Sequence, residues 1–332
     1  LELRYDTVAS IFNFSFYFDP KNQEHKELAC VSHFHECSIE HNGELLVSGF
    51  IISESFTKTA TPALVSFSGY SKAGVLEDCE IPVAFYPLQS DGLSLRQIAS
   101  KFLDPFKLKM VVDAAVASRM DKVYKSSTAN QSQSIKNYLT ELATQRNIVI
   151  SHNEEGSLLF TEAKAKQAPI MHYEEGLNAT QIDLNFNGQG LHSDITVMKQ
   201  ADSDGGNAGQ YTIKNPYVPI VYRPRTIIQT SGDDLSTKEA ARNALAAELK
   251  NIKLTIETDR WEIDGKILKP NSIVSVTAPE CYLYKKTNFF VESTRYRGNS
   301  KSLTATLSCV LPEVYNGLEP KNVFVDVHKN SA

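Results

Sequence analysis

From residue 11 to residue 18 the chain places a phenylalanine at every second position. Phe12, Phe14, Phe16 and Phe18 alternate with Ile11, Asn13, Ser15 and Tyr17. A period of two gathers the four rings on one face of a strand, whereas a helix would scatter them around its circumference. The start of the chain is thereby committed to a half-buried sheet. Further on, Asn42-Gly43 separates two strand-like runs, and this pair is a strong hairpin signal because both central residues of the tight turn take positive φ. Residues 63–70 form a third strand beyond a threonine-rich turn at Pro62. Leu1 to Tyr5 also read as a strand already under way, which places its neighbour upstream of residue 1 and leaves an unpaired edge.

Helical signals begin only after Pro82 and Pro87. Ser94 with Gln97 makes a capping box ahead of Leu95, Ile98, Ala99, Phe102 and Leu103, and Pro105 ends the run. A second helix is predicted over residues 133–146 from the spacing of Ile135, Tyr138, Leu139, Leu142 and Ala143. Two short apolar runs at 148–150 and 158–160 follow, so residues 89–168 read as a small α/β insert. Strands return after Pro169, and Ser236 with Glu239 opens a further helix over 236–252. Phe50 and Leu64 are spaced like Phe289 and Leu303, which suggests an internal repeat. The expected fold class is α+β, mainly β. Two similar antiparallel β-barrel domains, residues 1–88 and 169–332, flank the insert, and the second carries helix 236–252 and a mobile Gly/Asp/Asn loop at 201–210.

Composition narrows the function classes. The 332 residues include 34 Lys and Arg against 39 Asp and Glu, a net charge of −5. That balance argues against a protein that lives by gripping phosphate backbones, which needs clustered cations. The apolar runs stay short of the roughly 18 residues that a membrane-crossing helix requires, so no membrane insertion is expected. Five cysteines, odd in number and without a CxxC pair, fit reduced thiols rather than a disulfide scaffold.

Candidate chemistry is sparse. His33, His35 and Cys37, at alternate positions, would project from one face of a strand and offer three ligands to zinc. They lack a second ligand pair at the usual spacing, so packing is the favoured reading and no metal or other cofactor is expected. Cys79 follows an acid and reads as a packing residue. The loop from Asp204 to Gly209 lacks the Lys-Ser/Thr that phosphate cradling needs. Neither HExxH nor GxSxG occurs. Glu174-Glu175 and Asp233-Asp234 are adjacent pairs, which aim apart rather than across a substrate. Trp261 reads as a core or edge residue. Tyr282 and Tyr284 are the support for a carbohydrate-binding β module, and the His/Cys set is the support for a metal-dependent hydrolase.

Several strings fall in a recognisable order. The segment from Gly69 through Lys72, Leu76 and Asp78 to Cys79 resembles the stretch closing the first barrel of the tail-hub proteins of phage Mu and its prophage relatives. Residues 94–105 are similar to that family's helix before its middle domain. Tyr222-Arg223-Pro224-Arg225 resembles its approach to the helix near Ser236. Trp261 to Gly265, with Leu268 and Pro270-Asn271, resembles its penultimate strand region. The resemblance implies a non-enzymatic homotrimer, with no catalytic residues, at the centre of a contractile-tail baseplate. Three chains would present six barrels in a ring joining tail tube to spike, through which DNA passes without specific binding. It also implies a virion protein assembled in the bacterial cytoplasm, related in architecture to the spike-tip hubs of type VI secretion.

Overall fold

The computed structural model describes residues 1–58, 63–130, 132–199, 209–229 and 236–324. Pro62, the Asp233-Asp234 pair and most of the 201–210 loop lie outside the described residues. The chain divides into two compact units, Leu1–Glu162 and Ala163–Ala332. Both are α+β with strands predominating, as the alternation patterns require.

In the first unit, strands β1 (Glu2–Arg4) and β2 (Ile11–Tyr17) are followed by helix α1 (Gln23–Leu28). Strands β3 (Glu36–His41), β4 (Glu44–Thr57) and β5 (Leu64–Ser71) complete an antiparallel sheet ordered β1-β2-β5-β4-β3. The β3–β4 turn rests on Asn42 and Gly43, with φ of 51° and 79°. Phe12 is buried because Gly69 and Gly49 leave room for its ring. A Cβ on Gly69 would stand 1.9 Å from the Phe50 carbonyl oxygen and 2.7 Å from the Phe12 ring, and one on Gly49 would stand 2.1 Å from the Tyr70 carbonyl oxygen.

The same unit continues through α2 (Val75–Asp78), α3 (Leu95–Leu103), β6 (Met110–Val112), α4 (Ala117–Met120), α5 (Ile135–Thr144), β7 (Val149–His152) and β8 (Leu158–Thr161). Ser94 and Gln97 close the predicted capping box on α3, worth about 1 kcal/mol. The apolar faces of α3 and α5 meet through Phe102 and Tyr138, whose rings lie edge to face at 5.8 Å. Together they cover a small sheet ordered β6-β8-β7.

The second unit contains β9 (Met171–Glu174), β10 (Gln181–Phe186), β11 (Asp194–Lys199), β12 (Gln210–Lys214), β13 (Pro224–Gln229) and α6 (Thr237–Leu249). It continues with β14 (Ile252–Thr258), the two-residue strands β15 (Glu262–Ile263) and β16 (Lys266–Ile267), β17 (Ser272–Ala278), β18 (Leu283–Gly298), β19 (Leu303–Val310) and α7 (Glu313–Asn316). Its main sheet runs β10-β14-β19-β18-β17, with β9 parallel to β17. A second sheet, β12-β11-β13, packs one face on α6. Ser236 and Glu239 cap α6 as predicted.

The two main sheets repeat one another strand for strand. Phe50 pairs with Tyr70, Ser53 with Ser68 and Thr57 with Leu64; Phe290 pairs with Val310, Ser293 with Ser308 and Arg297 with Thr304. Adding 240 to either number of every pair from Phe50 to Thr57 gives a pair of the other sheet. The bulge recurs in place, at Ile52 and at Glu292. The neighbours follow suit: β2 pairs antiparallel with β5 as β14 does with β19, and Glu36 opposite Phe50 matches Ile273 opposite Phe290.

Candidate functional site

The His/Cys set does not share one strand face. β3 begins at Glu36, so His33 and His35 precede it, and Phe34 between them takes φ of 47°, which breaks the alternation that the spacing assumed. The two imidazole rings lie edge to face at 5.3 Å, and Cys30 Sγ stands 3.5 Å from His33 Nε2. Burial pushes the Cys37 thiol up, away from the thiolate that a metal prefers. Among the described residues no three His, Cys, Asp or Glu side chains converge to hold a metal ion.

The other candidates pack as well. Burial first and the Asp78 carboxylate second push the Cys79 thiol up, the reverse of nucleophile activation. Trp261 donates its Nε1–H to the carbonyls of Arg297 at 3.1 Å and Thr304 at 2.9 Å, pinning the β15–β16 hairpin to β18 and β19. Tyr282 and Tyr284 meet at 5.4 Å with their planes 76° apart, so they do not form the flat platform on which a sugar ring would stack. Glu174 is exposed, and Glu175 accepts a bond from the Glu280 backbone N–H at 3.3 Å.

Two polar networks escape sequence reading because their members are distant in the chain. Glu248, on the last turn of α6, is 4% exposed. Its Oε1 accepts from Arg225 Nη1 at 2.9 Å and His192 Nδ1 at 2.7 Å, and its Oε2 accepts from the His192 backbone N–H at 2.9 Å. One carboxylate thus ties α6 to the starts of β11 and β13. In the first unit His152 sits between Ser10 Oγ, 2.6 Å from Nε2, and the Asn153 carbonyl, 3.0 Å from Nδ1. A carbonyl can only accept, so Nδ1 carries the proton and Nε2 accepts from the Ser10 hydroxyl. Burial lowers the pKa of this imidazole and keeps it neutral.

The repeated sheets carry a chemistry that repeats too. Cross-strand partners share a face, so Asn13, Ser68 and Ser53 form one row across β2, β5 and β4, with Ser15, Ser66 and Ser55 beside it. These side chains are exposed or half-buried, uncharged and short. The row equivalent to the first in the second unit is Thr255, Ser308 and Ser293, again short and uncharged. The next row there is Glu257, Thr306 and Arg295, where charge enters.

These features lie on sheet faces and at element ends. No family model matches the chain. It is 23% identical over 272 residues to the baseplate hub protein gp44 of Escherichia phage Mu, an alignment covering 76% of this chain and 69% of that protein. The 43 kDa tail protein of prophage MuSo2 from Shewanella oneidensis superposes with a TM-score of 0.78 at 20% identity, over 95% of this chain and 94% of that one. A tail protein from Neisseria meningitidis MC58 gives 0.77 at 19% identity, over 95% and 91%. The chain resembles the Mu-type tail hub proteins in sequence and has the fold of the prophage tail proteins. In this hub-like fold, the string from Gly69 to Cys79 spans the end of β5 and α2. The Tyr222-Arg223-Pro224-Arg225 string leads into β13 ahead of α6, and the segment from Trp261 to Gly265 enters the β15–β16 hairpin.

Proposed function

We propose that the chain is a structural subunit of a phage-type tail baseplate, located in the virion. Three copies form a ring that joins tail tube to spike. The register-identical repeat carries this reading. A chain holding two copies of one sheet supplies six equivalent positions from three subunits, the arrangement that meets a sixfold tube with half the number of chains. In this reading residues 1–88 and 169–332 act as two barrel-like ring segments, with residues 89–168 as an insert on the first. The uncharged row Asn13, Ser68 and Ser53 and its equivalent Thr255, Ser308 and Ser293 suit the wall of a passage, since short uncharged side chains there give a polyanion no cations to grip. The role is non-catalytic, and the partners are the tube and spike proteins of the same baseplate.

Electron microscopy of the purified protein tests this directly. Top views with six lobes contributed by three chains are expected. A particle that stays a single chain at every concentration, or a ring without pseudo-sixfold symmetry, overturns the reading.

A further inference from the structure

Two exposed apolar segments of this chain carry opposite charge. The first joins β12 to β13 in the second unit, where Ile220 is 92% exposed and Tyr222 79%, with Val221 exposed between them. This tip is held from both sides. Before it, the buried Tyr217 donates its hydroxyl to the Lys321 carbonyl at 2.9 Å, and Asn322 Nδ2 donates to the Pro216 carbonyl at 3.0 Å. After it, Arg223 Nη2 donates to the Gln189 carbonyl at 2.8 Å, and the Arg223 backbone N–H donates to Ser193 Oγ at 2.8 Å. With both flanks held, the backbone of this apolar tip has little ordering left to lose on docking, which is what an anchor at the centre of an interface needs. Residues 209–225 contain Lys214, Arg223 and Arg225 and no acid; Arg225 is paired with Glu248, so Lys214 and Arg223 carry the positive charge on this side.

The second segment, residues 28–34, joins α1 to β3 in the first unit. Val31 is 59% and Phe34 58% exposed, and Leu28 beside them is exposed as well. Buried Ala29 ties the segment down, its N–H bonded to the His25 carbonyl at 3.0 Å. Residues 19–44 hold Asp19, Glu24, Glu27, Glu36, Glu40 and Glu44 against Lys21 and Lys26. One segment is therefore an apolar tip on a basic ground, and the other an apolar seat on an acidic ground.

We propose that the 219–222 tip of one chain docks on the 28–34 seat of a second copy of this chain. Apolar contact supplies the affinity, and the opposed charges set the orientation. Each copy has one tip and one seat, so contacts run head to tail and a closed ring is the arrangement that fills them all. The proposal rests on the trimeric reading above and names the surfaces that build it.

Complementation of broken copies tests it. Ile220→Asp spoils the tip and Phe34→Asp spoils the seat, both at exposed positions, so each variant should keep the wild-type circular dichroism and lose only the stability that association adds; Tyr222→Ser and Val31→Ser are the milder second pair. By light scattering, wild type should weigh three chains and each variant alone one. An equal mixture of the two variants should weigh two, because the intact tip of the Phe34→Asp copy meets the intact seat of the Ile220→Asp copy and nothing further can join. Variants that keep the wild-type mass, or a mixture that does not pair, overturn the docking while leaving the ring standing. A monomeric wild type overturns both.

Discussion

Ile52 and Glu292 are the same residue of one pattern: each is the extra residue that interrupts the ladder between a long strand and its eight-residue partner, at identical register in the two units. A bulge bends its strand and sharpens the local twist. Finding it twice ties the curvature of both sheets to one backbone position rather than to side chains, which differ completely there.

Deleting Ile52 should therefore do more than replacing it. Ile52→Ala removes a partly exposed side chain and should cost below about 1 kcal/mol. Deletion removes the unpaired residue and leaves Ile51 opposite Gly69 and Ser53 opposite Ser68, so the ladder keeps its register but β4 loses the bend and added twist that the bulge imposes. The expected loss is about 1–3 kcal/mol in urea unfolding. Similar midpoints for the two variants would show that the bulge is incidental.

Gly69→Ala addresses the packing beside that bulge. The new Cβ would meet the Phe50 carbonyl across the ladder and the Phe12 ring above it, and a backbone oxygen cannot step aside as a flexible side chain can. Overpacking of this kind costs about 1–3 kcal/mol. Shortening the ring by Phe12→Leu in the same chain should recover only part of this, because the carbonyl clash persists. Full recovery in the double variant, read by thermal melting, would place the whole strain on the ring.

His152 makes the first unit acid-sensitive. Its folded pKa is depressed by burial, so below the ordinary value of about 6.5 the unfolded chain binds a proton that the native state refuses. Stability attached to this group is intact above pH 7 and falls as pH drops through about 6.5, by at most about 1.4 kcal/mol per pH unit. In His152→Gln that dependence vanishes while the contact to Ser10 is kept in kind. Unfolding of the two proteins at pH 7.5 and pH 5 should show the wild-type advantage shrinking on acidification. A constant difference would exclude the histidine as the source.

Local signals were legible and long-range ones were not. Ser94 with Gln97, Ser236 with Glu239, and Asn42 with Gly43 each act within four residues, and each forms the cap or turn that its spacing demands. The single strand face expected for His33, His35 and Cys37 is broken, because nothing in that string announces the positive φ of Ser32 and Phe34. The repeat shows a subtler failure. Side-chain likeness aligns Phe50 with Phe289, but the ladder aligns it with Phe290, and a slip of one residue exchanges the faces of a sheet. The apolar string Ile220-Val221-Tyr222 lies between Pro219 and Pro224 and has no strand or helix period, a signal visible in advance to anyone asking which apolar residues no element could bury. Glu248, His192 and Arg225 come together only through the fold.

That last cluster gives the sharpest test of the second unit. Three N–H groups converge on the Glu248 carboxylate, two on Oε1 and one on Oε2. Glutamine matches the shape but replaces one acceptor with an amide NH2, so in either orientation a donor faces a donor. The group is buried, and leaving its partners short of an acceptor costs about 1–3 kcal/mol. Arg225 and His192 are partly open to water, which keeps the loss at the lower end of what a sealed ion pair would show. Trp261, the single tryptophan of the chain, lies in the second unit and reports its unfolding by fluorescence. Glu248→Gln should lower the urea midpoint seen by Trp261, and Arg225→Met, which removes one of the three donors, should restore part of it. An unchanged midpoint in Glu248→Gln would mean that apolar packing of α6 through Ala241, Leu245 and Leu249 holds the helix to its sheet without the carboxylate.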